Sequence, residues 1–182
     1  MGVGVRVGAL GPVVAAVFAA AFLIAVSAPA APASQEVTWP QPAAPEIQAF
    51  VRSALDDRLR ANDIPDLKLL QGSRHISVRN VMPRAQRSLS ESALPQIEGY
   101  DVVLVSPAEA QATADRRNET VEFITVDDPI VGPSTATIEI GVDMAVPRTS
   151  GLIKLCCCTG QAEFRRSAGG WAFVKWASIV CS

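Results

Sequence analysis

All four cysteines of the chain lie in its C-terminal stretch, three of them adjacent as Cys156, Cys157 and Cys158 and the fourth at Cys181. Thiols in this number serve as disulfides, metal ligands or redox pairs, and their spacing separates these uses. Redox pairs and thiolate metal sites are ordinarily built on C-x-x-C, which the chain lacks. A Cys-based carrier for copper(I) or zinc would also need His75, the single histidine, brought in from far away in sequence. On a strand, Cys156 and Cys158 point to one face and Cys157 to the other, so the three cannot turn to one ion without breaking the strand. The expectation is a structural disulfide at Cys181, with no metal and no cofactor.

Other chemistry-bearing residues are sparse. There is no G-x-S-x-G, no H-E-x-x-H and no phosphate loop. The general base of an enzyme would be His75 or Asp115; His75 would need an orienting carboxylate that the sequence does not identify, and no catalytic residue is assigned. Adjacent Asp56 and Asp57 diverge on a helix, and Asp127 and Asp128 fall in a predicted turn where aspartate bonds its own backbone. Arg74, Arg79, Arg84 and Arg87 form a run with no acid between Asp66 and Glu91; they suit either a solvated face or an anionic ligand. The net charge of −2 argues against a dedicated nucleic-acid binder.

The elements that must position the cysteines form a long hairpin. One strand runs from about Leu152 to Arg166, a turn takes Ser167, Ala168, Gly169 and Gly170, and a return strand runs from Trp171 to Cys181. If Ser167 pairs with Gly170, then Phe164 faces Phe173, Ala162 faces Lys175, Cys158 faces Ile179 and Cys156 faces Cys181. The turn therefore favours a Cys156–Cys181 disulfide, with Cys158 the second choice, because one bulge would shift Cys181 towards Cys158 or Cys157. The remaining pair would be two buried thiols or a vicinal disulfide.

Arg6, the apolar run Ala9–Val26 and the small residues "SAPAAPAS" read as a secretory signal over residues 1–33, cleaved before Ser34. The alternative is an uncleaved membrane anchor. Pro40, Pro42 and Pro45 make residues 34–45 an extended tether. A single α+β domain follows over residues 46–182. Ile47, Phe50, Val51, Ala54, Leu55 and Leu59 fall at helical spacing, so an amphipathic helix is expected to end near Asn62. "RHISVRNV" and "YDVVLVS" read as strands, with a short helix possible at "SLSESAL". Ser106, Pro107 and Glu109 form a capping box opening a helix to about Arg116. From Thr120 the pattern has period two, through "TVEFITV" and "TATIEIGV".

This order, closed by "AEFRRSAGGWAFVKW", is similar to the nuclear transport factor two-like or cystatin-like group. In its last hairpin Phe164, Arg165, Arg166, Gly169, Gly170 and Trp171 match the aromatic, basic, turn-glycine and tryptophan outline of such domains. The chain also resembles exported bacterial proteins with a cysteine run before this hairpin. The resemblance implies a curved antiparallel sheet wrapping the helix, and no particular activity, since the group hosts both enzymes and binding modules. The expected function is a non-enzymatic domain, secreted or periplasmic, that binds a small molecule or an envelope protein and leaves the membrane once its signal is removed. Alternatives are a small enzyme using a cone pocket, and the metal carrier.

Overall fold

The chain divides into two units, Met1–Val37 and Thr38–Ser182. The computed structural model describes residues 41–70, 74–151 and 157–181, all within the second. The expected signal segment and most of the tether lie outside the described residues. In chain order the elements are β1 (Gln41–Pro42), α1 (Pro45–Arg60), β2 (His75–Arg79), β3 (Val81–Met82), β4 (Arg87–Ser88), β5 (Asp101–Val105), α2 (Pro107–Arg117), β6 (Val121–Val131), β7 (Thr135–Ala145), β8 (Cys158–Ser167) and β9 (Gly170–Cys181). Single 3-10 turns occupy Leu67–Leu70 and Glu91–Ala93, the latter within "SLSESAL". The fold is α+β.

The main sheet has the order β5-β2-β6-β7-β8-β9, and a three-stranded sheet, β1-β4-β3, stands beside it. The main sheet corrects the antiparallel expectation: β2 runs parallel to both β5 and β6, and only β6 through β9 form an antiparallel meander. The reason is the connection. The chain leaves β5 through α2 before entering β6, and a crossover of this kind returns the strand in the same direction, where a tight hairpin would reverse it.

Side chains alternate across the sheet, so each face takes one helix. Ile124, Val126, Ile138, Ile140 and Val142 belong to the main core with Phe50, Val51 and Leu55 of α1. Phe123 and Ala145 lie on the other face, packed with Ala110 and Ala114 of α2. An edge-to-face series of rings runs through the main core: Trp171 to Phe50 at 5.3 Å, Phe50 to Phe164 at 5.4 Å, Phe164 to Phe173 at 5.7 Å and Phe173 to Trp176 at 5.5 Å. Each such pair contributes about 0.5–1.5 kcal/mol beyond its buried area.

Polar groups fix α1 in place. Gln48, buried near its start, donates to the Ala43 carbonyl and accepts from the Ser90 amide and the Ser92 hydroxyl. At the other end Arg58 is buried between Asp57 and Asp63, each 2.6 Å away, with its guanidinium 3.6 Å above the Phe173 ring. Asp56 takes Arg60 instead, so the two adjacent carboxylates serve different arginines. Asp127 and Asp128 correct a second expectation. They sit inside β6 at a bulge, where Asp127 accepts from the Arg84 and Asp128 amides, and the strand continues to Val131.

Candidate functional site

The cysteine hairpin is built from its turn. Ser167 pairs with Gly170 and Phe164 with Phe173, as the turn chemistry requires. The register then shifts twice, so that Ala162 meets Trp176 and Gln161 meets Ser178, and Cys181 arrives opposite Cys158. The disulfide is Cys158–Cys181; the expected Cys156–Cys181 bond is corrected by two residues. The cause lies in the aromatic packing. Phe173 and Trp176 are three apart and would face opposite sides of a regular strand, yet both pack on the main core. Each shift leaves one extra residue in β9, first Val174 and then Ala177, and the first turns Trp176 to the side of Phe173.

The loop after α1 locks this arrangement. Trp176 donates its indole N–H to Asp63 at 3.2 Å, and the Cys158 amide donates to the Asp66 carboxylate at 2.7 Å. Cys157 is also disulfide-bonded, and no described cysteine is free. Cys156, on which the expectation for the remaining pair falls, lies outside the described residues. With Cys157, Cys158 and Cys181 oxidised, their sulfurs are not available as thiolates. Among the described residues no group of three or more His, Cys, Asp or Glu side chains gathers round one point.

The arrangement best suited to a ligand is on the opposite face, where α2 crosses the β2–β5 edge. A groove of about 460 Å³ is lined there by His75 and Ser77 of β2 and by Glu109, Thr113, Arg116 and Arg117 of α2, among others. His75 and Ser77, two apart on a strand, face the groove together. Parallel pairing sets Asp101 directly beside His75, and His75 Nδ1 lies 3.0 Å from Asp101 Oδ2. Both groups are open to water, with side-chain exposures of 57% and 72%. Arg116 reaches only the Thr113 hydroxyl, at 3.2 Å, and Arg117 has no partner among the described residues.

The one acid in the groove is already committed. Glu109 accepts from the Ser106 amide at 2.8 Å and from the Ser106 hydroxyl at 2.7 Å, while Ser106 caps the Glu109 amide. The bond from the Ser106 amide, aided by the hydroxyl, holds the Glu109 carboxyl below its ordinary range. Asp115 is placed elsewhere. It accepts from the Arg148 amide at 2.8 Å and from Gln111 at 3.0 Å, and Gln111 also reaches the Val146 carbonyl. The Arg148 amide lowers its pKa most, with Gln111 and the Arg148 charge adding smaller effects. Asp115 thus ties the loop after β7 to α2 and does not meet His75 in the groove.

The arginine run disperses. Arg79 donates to the Val81 carbonyl, and Arg84 pairs with Glu139. Arg87 lines an apolar groove at the start of α1. The cations that do converge, Arg116 and Arg117, carry no signal in sequence beyond being adjacent at a helix end. No family profile, curated protein or solved structure matches the chain. No described helix is long and apolar enough to cross a membrane.

Proposed function

We propose that the chain is an exported, secreted or periplasmic, non-enzymatic domain that holds a small anionic ligand in the groove under α2. The observation carrying this reading is two guanidinium groups, Arg116 and Arg117, that form no ion pair among the described residues and share one open groove with the hydroxyls of Ser77 and Thr113. Guanidinium forks and hydroxyls are the donors that recognise carboxylates and phosphates. The oxidised Cys158–Cys181 pair supports export, because such bonds persist in oxidising compartments. In this reading residues 1–33 are the cleaved signal, the tether follows and ends where Gln41–Pro42 pair with β4 and Ala43 joins the core, and the sheet curves round α1 as in the nuclear transport factor two-like group.

Catalysis by His75 is the weaker reading. Its carboxylate partner is largely exposed, and the water-excluded surroundings that strengthen acid–base chemistry are missing. The test is thermal unfolding of the exported chain with inorganic phosphate, succinate or glucose. Phosphate or succinate at ten times its Kd should stabilise the fold by about 1.4 kcal/mol, glucose should not, and Arg116→Ala/Arg117→Ala should abolish the effect. Equal stabilisation by glucose, or none by either anion, would reject an anion site.

A further inference from the structure

We propose that the outer edge of β9 is a self-association surface, through which two copies of the chain pair antiparallel and join their sheets. β9 is the last strand of the main sheet, and no strand among the described residues pairs with its outer side. Among the described residues, three of the five exposed large apolar side chains lie on it: Val174, Ile179 and Val180, the last 68% exposed. Monomeric proteins guard such an edge with charge, proline or bulges. β9 has no proline, and its only charge, Lys175, is answered by Glu163 at 3.6 Å. The bulges at Val174 and Ala177 lie in its middle. Ser178, Ile179, Val180 and Cys181 stay in regular register with residues 158–161. This regularly paired end carries Ile179 and Val180, both exposed, and the disulfide and the Asp66 bond to Cys158 hold it and its partner strand in place.

A second copy of the chain fits this edge best. The opposite edge, β5, has five residues against twelve in β9, so head-to-tail joining would leave most of β9 bare and would propagate without closing. Two β9 strands related by a two-fold axis satisfy each other and close. An axis at Ile179 sets Ser178 opposite Val180 on the same face, and at ~3.3 Å per residue it holds the two Lys175 about 26 Å apart. An edge with one internally neutralised charge has nothing to select a charged peptide, whereas the two-fold axis sets exposed Ile179 against its own copy.

The test is sedimentation equilibrium of the oxidised, exported chain from micromolar to near-millimolar concentration, beside Ile179→Asp, which would set two carboxylates together at the axis. The wild-type mass should rise towards twice the monomer, while the variant, its Cys158–Cys181 bond verified by mass, should stay monomeric. If the variant fails to fold, hydrogen exchange of the wild type decides: amides of Ser178–Cys181 should slow as concentration rises. A wild type monomeric throughout, a variant that still dimerises, or protection that maps away from β9 would each overturn the proposal.

Discussion

Removing the hairpin disulfide with Cys158→Ser/Cys181→Ser tests the link between β9 and the rest of the fold. Both partners are replaced so that no lone thiol can exchange with the bond at Cys157. The two cysteines are 23 residues apart in sequence, and the loop-entropy relation gives about 3 kcal/mol for a closed loop of that length. For a domain of this size that is a fall in Tm of about 6–12 °C. The assay is urea unfolding followed by the fluorescence of Trp171 and Trp176, whose rings pack on the main core. A lower midpoint with a slope equal to or somewhat above that of the wild type would mean the native strand pairing survives, since an unfolded chain freed of its cross-link exposes more surface. A loss under about 1 kcal/mol would refute the reasoning, because the β8–β9 ladder and the Asp66 bond would then hold the tail unaided. Fragmentation of the wild-type peptide pair that links Cys181 to Cys156 would refute the bulged register itself.

Gly160→Ala places a Cβ 2.5 Å from the Trp176 ring and 3.0 Å from Pro65, so it should cost about 1–3 kcal/mol in urea unfolding, whereas Gly169→Ala meets open space and should be nearly neutral. Glu109 and Asp115 have depressed folded pKa values, so their stabilisation is complete above the unfolded carboxylate range near ~4 and is lost as pH falls through the folded values. The Tm gap between wild type and Glu109→Gln or Asp115→Asn should therefore stay constant near neutrality and close in acid; a gap that widens in acid would contradict the assignment.

The readings that held were those made by a few neighbouring residues. Ser106 and Glu109 are three apart, and both halves of their capping box are formed. Gly169 and Gly170 set the hairpin turn and with it the Phe164–Phe173 pair. The spacing Trp171, Phe173, Trp176 also carried information about the bulge, since three aromatics at these positions cannot share one face of a regular strand. The groove had no comparable signal, because His75 and Ser77 lie on one element, Arg116 and Arg117 on another, and only the α2 crossover brings them together.

Sequence by itself determined the alternating strands, the capped second helix, the turn of the last hairpin and the disposition of cysteine towards a disulfide. These follow from side-chain periodicity and local hydrogen bonding, which act over a few residues. Only the tertiary structure decided that β2 lies parallel between β5 and β6, that Cys181 bonds Cys158, and that Asp115 fastens a loop while Arg116 and Arg117 remain open. Each depends on distant segments competing for the same surface. Turning Phe173 and Trp176 to one core moves every later residue of β9 relative to β8, and turn chemistry at Gly170 cannot encode that displacement.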